Sequence, residues 1–432
     1  MYRKIQIYFF IFVIISLINR PISVSLASNN SDDASCLSSF DPKIDAIIAE
    51  KMEQGYIPSL SLALIQNNSI LWSKGYGEQP EIDSIFMSGS VTRSFTVVAL
   101  LQLYEQGFFD LDDDIDNYLP YSLRNPFYPN VSITFRMLMR QESSIQSQTD
   151  YELAMYQDVM QKFGMEYEPW LPFPEWIQEH LLPNGSLYDP GVWGIWKPGT
   201  SVRSSDIGYD VLIYLLEILS NQSFVEYFRE NIFNPLNMQD TGFNISEVDQ
   251  AKLVQPYAYM FPMDPNSTGN VGYPIYNHLG YGSGAVRSNV LDLSRYMLIH
   301  MHKGVSNGTR ILKDETIELM HQISIGWESV PAPFWDGIDG GVFGYRVKFR
   351  TNMGRGTDIP YGVIALANQE FCEEELLNIT RILQNIVYDI KTCSADQIFG
   401  FLFIEILLGI VVSIVVVYGM RNSVKRVKGV GD

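Results

Sequence analysis

The chain has 432 residues, 46% of them hydrophobic, and a formal net charge of −19 at pH 7. That length holds one large domain or two small ones, and the apolar content allows a full core. The acidic balance argues against a nucleic-acid partner, and no basic stripe or G-x-x-x-x-G-K loop is present.

The N-terminus reads Arg3 and Lys4, then the apolar run IQIYFFIFVIISLI, then small residues at Ser25 and Ala27. This is the pattern of a secretory signal peptide over 1–27, and the run is short for an uncleaved membrane span. Residues 28–40 (SNNSDDASCLSS within them) read as a polar linker. DPKIDAIIAEKMEQG then places Ile44, Ile47, Ile48 and Met52 at helical spacing, with Asp41 as cap and Gly55 as stop. SLSLALI and SILWSKGYGE read as strands of a hairpin joined through Gln66-Asn67-Asn68. Helical and loop segments rich in aromatics follow from about 90 to 280. Then come the helical runs VLDLSRYMLIHMHKG and KDETIELMHQI, the strand-like runs GVFGYRVKFRT and YGVIALANQ, and a last helix, CEEELLNITRILQNIVYDI. This order is α+β.

The run from Ile398 to Met420 is long enough to cross a bilayer, with Glu405 towards one end. Arg421, Lys425, Arg426 and Lys428 behind it suit a cytoplasmic tail over 421–432. The expected topology is a single-pass membrane protein with its ectodomain outside or in a lumen and its C-terminus cytoplasmic. Nine N-x-S/T triplets, beginning at Asn29, Asn67, Asn130, Asn184, Asn221, Asn244, Asn266, Asn307 and Asn378, support a glycosylated ectodomain. Three cysteines, Cys36, Cys372 and Cys393, cannot all pair within the chain.

The segment that invites chemistry is FMSGSVTRSFTVVALLQLYEQG. Ser90 follows Gly89 and opens a helical run, where free N–H groups and the helix dipole favour negative charge. Position i+3 lies on the same face. A neutral lysine there takes the serine proton in S-x-x-K enzymes, but here the residue is Arg93. The five histidines, His180, His278, His300, His302 and His321, form no metal motif, and His300-Met301-His302 reads as ordinary helix-surface residues. No cofactor is expected, and a Ser90–His dyad stays open because spatial neighbours are invisible in a sequence.

From about 41 to 390 the chain resembles the β-lactamase-related serine hydrolases, the group of class C β-lactamases, DD-peptidases and esterases. GSVTRSFTVVALLQLYEQGFFDLDDDIDNYLP is similar to the nucleophile helix and following loop, and ITFRMLMRQESSI to the next helix. KPGTSVRSSDIGYDVLIYLLEILSNQSFVEYFRENIFNPLNMQDTGF is similar to the second-motif region, and YGSGAVRSNVLDLSRYMLIHMHKG and YGVIALANQ to the C-terminal half. The resemblance implies a penicillin-binding-protein-like α+β fold. An antiparallel sheet is flanked by the N- and C-terminal helices, in a domain over 41–392. Its α/β lobe comprises 41–88 and 285–392, and its mainly helical lobe 89–284.

The resemblance also locates the catalytic positions. The S-x-x-K motif reads Ser90 to Arg93. The Y-x-N motif falls on Ser204-Ser205-Asp206, and the third motif, Lys or His before a small residue and Gly, on Ile338-Asp339-Gly340. The usual Thr-Ser-Gly reads Glu142-Ser143-Ser144. Arginine stays protonated and cannot accept the serine proton. Ser204 titrates too high to replace tyrosine, and Ile338 offers no charge. Asp206 makes an ion pair with Arg93 natural, since burying either charge alone is costly. What remains by resemblance is Ser90 in the nucleophile position and an oxyanion hole from the backbone N–H groups of Ser90 and Gly341. Trp170, Phe173, Trp176, Tyr188, Trp193 and Trp196 line a pocket or form core. The adjacency of the terminal helices in this fold implies a Cys36–Cys393 disulfide, with Cys372 free. The reading is a membrane-anchored pseudoenzyme, or a strongly weakened hydrolase, that takes a small-molecule, peptide or protein ligand in the ancestral cleft. The alternative is an active serine hydrolase with a non-standard base for Ser90.

Overall fold

The structure is a computed structural model that describes residues 30–147, 156, 173–259, 269–325, 336–342, 345–351 and 360–385, with backbone alone at 30–41, 336–338 and 340–342. The chain divides into two compact units, Pro42–Val387 and a second made of Met1–Asp41 with Tyr388–Asp432. Of the second, only the helical backbone of 30–41 is described. The signal-peptide run 1–27, the apolar run 398–420, the tail, Trp170, and the proposed Cys36–Cys393 bridge therefore lie outside the described residues. Among the described residues no helix is long and apolar enough to cross a membrane.

The first helix, α1, is Asn30–Gln54, with Pro42 inside it. This corrects the polar linker over 28–40 and the helix start at Asp41. Proline removes one intrahelical hydrogen bond, but its fixed φ is helical. The Asp- and Ser-rich stretch had read as a linker because such side chains compete for backbone hydrogen bonds.

Strands β1 (Ser59–Gln66) and β2 (Ser69–Gly77) form the expected hairpin, turning at Asn67 with φ 51°. The short strand β3 is Phe86–Met87. Helix α2 (Val91–Glu105) follows, then α3 (Phe135–Met139), α4 (Phe173–Leu181), α5 (Asp206–Ser220) and α6 (Phe224–Phe228). Small strands β4 (Tyr257–Tyr259) and β5 (Asn270–Gly272) pair, and β6 (Arg287–Ser288) pairs with β3. Helix α7 (Val290–Met301), the hairpin β7 (Val305–Ser306) and β8 (Thr309–Arg310), and α8 (Asp314–Gln322) precede β9 (Asp336–Val342), β10 (Tyr345–Thr351) and β11 (Tyr361–Ala367). The helical stretch 373–385 is α9. The run GVFGYRVKFRT, expected as one strand, is split between β9 and β10, since Val342 pairs with Tyr345.

The main sheet is antiparallel, in the order β2-β1-β11-β10-β9. Its central strands β1 and β11 are buried along their whole length, so both faces are covered. Directly paired residues share a face. One face carries Ala63, Ile65, Ile364, Leu366, Val347 and Phe349, which join the large core with Phe95, Val98 and Leu101 of α2 and with Leu293 and Met297 of α7. The other carries Leu62, Ala365 and Lys348, in register across β1, β11 and β10. Gly362 lies close under α7: a Cβ there would sit 2.8 Å from the Met297 sulfur, which would have to shift. The buried residues Ile44 and Ile48 of α1 and Leu376, Ile379 and Leu383 of α9 supply the terminal helices' apolar stripes.

Five sequon asparagines, Asn67, Asn130, Asn184, Asn221 and Asn307, are exposed; Asn244 and Asn378 are half-buried. Cys372 is a free buried thiol that donates to the Gln369 carbonyl at 3.1 Å.

Candidate active site

Ser90 occupies the N-cap position of α2, and its side chain makes no capping hydrogen bond. The preceding Gly89 takes φ +51°, a turn that glycine makes at no steric cost. The helix is anchored from beneath. Thr92 Oγ1 accepts from the Val286 N–H at 3.1 Å, and Thr96 Oγ1 donates to the Gly282 carbonyl at 2.8 Å. Gly282 N–H in turn donates to the buried Asp210 carboxylate of α5 at 2.9 Å. The start of α2 is thereby tied to the loop before β6 and to α5.

Arg93 lies one turn into α2. Its guanidinium donates to Asp206 Oδ1 at 2.7 Å, to Ser204 Oγ at 3.1 Å and to Gln141 Oε1 at 3.2 Å, and it lies 5.5 Å from the Tyr209 ring centroid. Asp206 begins α5, where an acidic side chain is favoured by the helix dipole. Ser205 caps that helix by accepting from Gly208 N–H, and Asp206 N–H donates to Ser147 Oγ at 2.8 Å. The Arg93 and Asp206 side chains retain 16% and 22% exposure, so the pair is largely withdrawn from water. In that setting each charge needs the other.

The segment between α3 and Ser147 forms the next wall. Gln141 and Ser144 both hold positive φ, 59° and 63°, without being glycine. Ser144 stands where the resembled motif has glycine, which explains the backbone there: the conformation persists although the residue that takes it freely is gone. Asn125 donates to Ser144 Oγ and to the Gly194 carbonyl, both at 2.8 Å, and holds this turn against the 194–196 loop.

The third-motif positions Ile338, Gly340 and Gly341 lie on β9, which packs against α2. Ile338 pairs with Phe349, Gly340 with Val347 and Gly341 with Arg346. Asp339 pairs with Lys348 and belongs to the opposite face of the sheet.

The structure thus brings Arg93, Ser204 and Asp206 together one turn from Ser90. Among the described residues nothing hydrogen-bonds the Ser90 hydroxyl, the histidines included. His180 bonds the Trp176 carbonyl, His302 bonds the Asn67 carbonyl, and His300 Nδ1 lies 3.0 Å from His321 Nε2. His300 is buried, which corrects its reading as a surface residue: it sits on the core face of α7 beside Tyr296. Trp176 and Trp193 are core; Trp196 is half-buried beneath Arg203 at 5.3 Å. Gln141, Ser147, Tyr209 and His278 had no motif signal. His278 is buried, accepts from Gly280 N–H at 3.1 Å, and meets the Tyr156 ring at 4.8 Å. Burial pushes its imidazole down to about 4, against the pull of the nearby Asp206 charge.

The family model described as Beta-lactamase matches residues 44–384. The chain belongs to the beta-lactamase family. It is 24% identical over 358 residues to penicillin-binding protein 4* of Bacillus subtilis, covering 75% of this chain and 72% of that one. It is 26% identical over 208 residues to protein flp of Staphylococcus aureus, where the match takes in 46% of this chain but spans only 38% of the relative's length. Among solved structures it is similar to the octameric penicillin-binding protein homologue from Pyrococcus abyssi, at 25% identity and a TM-score of 0.55, covering 76% of this chain and 73% of that one. It is also similar in fold to a D-amino acid amidase from Ochrobactrum anthropi, at 16% identity and a TM-score of 0.62 over 81% and 99% of the two chains.

Proposed function

We propose that this chain is a beta-lactamase-family protein whose cleft binds rather than hydrolyses. One observation carries the reading: the residue at the family's lysine position is an arginine fixed by Asp206, Ser204 and Gln141. A guanidinium stays protonated and cannot accept the Ser90 proton. Ser204 replaces the family's phenol, and it is spent as an acceptor from Arg93. What remains, a helix N-terminus at Ser90 and a cation one turn on, suits a peptide or acyl ligand in the cleft. The two apolar termini and the exposed sequon asparagines support a glycosylated ectodomain held on a membrane by 398–420.

A second reading keeps Ser90 as an acyl-enzyme nucleophile. It is favoured by the Ser90 hydroxyl, which is not consumed in capping its own helix. The purified protein and its Ser90→Ala variant, treated with a fluorophosphonate or a fluorescent penicillin, separate the two. The binding reading expects no Ser90-dependent label. Stoichiometric label lost in Ser90→Ala establishes the hydrolase.

A further inference from the structure

Behind β9, on the face of the sheet away from the α2 core, lies a cavity of about 600 Å³. Its floor is β9, β10 and β11, and its wall is α9. Asp339, Lys348, Arg350 and Val363 line it from the sheet, and Glu373, Leu377 and Arg381 line it from the helix. None of these belongs to the Ser90 cleft.

The charges are unevenly satisfied. Lys348 is 2% exposed, and its ammonium lies 2.7 Å from Asp339 and also contacts Glu373. Arg350 adds a second cation to Asp339, with Nε to Oδ1 at 2.7 Å and Nη2 to Oδ2 at 2.6 Å. Asp339 is therefore saturated. Burial alone would raise its carboxyl, but Arg350 and Lys348 outweigh burial and hold it below the ordinary value. Glu373, by contrast, is 57% exposed and also faces Arg346 at 3.8 Å, so it can turn to water at little cost. Arg381 is exposed at the mouth and has no ion-pair partner among the described residues. Three cations against two carboxylates leave the lining with one surplus positive charge, in a chain whose net charge is −19. Between the charges Val363 and Leu377 supply apolar wall, and Thr380, Gln384 and Asn385 complete the lining.

We propose that this cavity binds a small amphiphilic monocarboxylate. Its carboxylate takes Arg381, together with Lys348 as Glu373 turns outward, and its apolar body lies along Val363 and Leu377. A monoanion matches the surplus charge, and a carboxylate suits a guanidinium's paired N–H groups. The site is independent of Ser90 and Arg93, so it stands whether or not the cleft is catalytic.

The test is isothermal titration calorimetry of the full chain in a non-ionic detergent, with 4-phenylbutyrate as probe and 4-phenylbutyramide as its neutral control. The acid is expected to bind at least about tenfold more tightly than the amide, and Arg381→Gln is expected to weaken the acid by about tenfold while leaving the amide unchanged. Because Arg381 is exposed, that variant keeps its fold. Absence of acid binding, equal affinity for acid and amide, or acid binding that Arg381→Gln does not weaken each overturns the proposal. The last outcome places the carboxylate elsewhere, at Arg93 first of all.

Discussion

The Arg93 guanidinium and the Asp206 carboxylate meet at 2.7 Å across α2 and the first turn of α5. By the resemblance each stands where the family has another residue, and each supplies what the other needs. A lysine at 93 would be neutral only in a site without a facing carboxylate. An aspartate at 206 would be a costly buried anion without a facing cation. The two substitutions form one arrangement.

Restoring lysine alone is therefore expected to fail. In Arg93→Lys the ammonium faces Asp206, which favours its charged form, so on the binding reading Ser90 gains no base. Fluorophosphonate labelling of that variant should stay at background. Arg93→Lys combined with Asp206→Asn and Ser204→Tyr should label at least about tenfold faster than Arg93→Lys. If the single variant labels as fast as the combination, the carboxylate is not what silences the site.

The same pair has a stability signature. Asp206→Ala removes the carboxylate that faces a largely buried guanidinium, which keeps its hydrogen bonds to Ser204 and Gln141. It is expected to cost about 2 kcal/mol, less than a fully buried pair because both side chains retain some exposure. Arg93→Met with Asp206→Ala should recover part of that loss, since no charge is then stranded. Urea midpoints at constant m-value measure both. A double variant that is less stable than Asp206→Ala would show that Arg93 stabilises chiefly through other contacts.

What the sequence disclosed and what it hid divide along physical lines. The β1–β2 hairpin and the α2 start were readable because alternation, an Asn turn and a glycine before Ser90 are local signals. The family followed from segments spread along the chain, and so did the positions of Ser90, Arg93, Ser204 and Asp206. Gln141 was not readable, because it reaches Arg93 from another element through a contact that no spacing rule encodes. The break between β9 and β10 was missed because the alternation of Tyr345, Val347 and Phe349 marks a strand but not the residue at which it begins. The burial of His300 was missed because α7 is apolar on a wide arc, and one polar residue inside that arc resembles one outside it.

Acid should weaken the fold through His278. Its folded pKa is lowered from 6.5 to about 4, chiefly by burial. Below pH 6.5 the unfolded chain takes up a proton that the folded one refuses until about pH 4. Stability from this group is thus complete above 6.5 and is lost as pH falls, by about 3 kcal/mol across the window. His300, also buried and shifted down, adds in the same direction. His278→Gln keeps an acceptor for the Gly280 N–H and removes the titration. Its urea midpoint should fall less than that of the unsubstituted protein between pH 7 and pH 5. Equal slopes in the two proteins would exclude His278 as the source.

Cys372 offers the simplest check on the core beneath α9. The thiol is fully buried and bonded to the Gln369 carbonyl, and burial pushes its pKa up to about 12. Thiolate is the reactive species, so neither access nor ionisation favours alkylation in the folded state. Iodoacetamide at pH 8 should leave Cys372 unmodified in native protein and modify it fully after denaturation, as read by peptide mass spectrometry. Rapid native modification would mean that the stretch 372–376, where Cys372 accepts the Leu376 N–H at 2.9 Å, opens locally on the timescale of the reaction. The α9 wall of the charged cavity would then be a mobile boundary rather than a fixed one, and binding there would have to include the cost of ordering it.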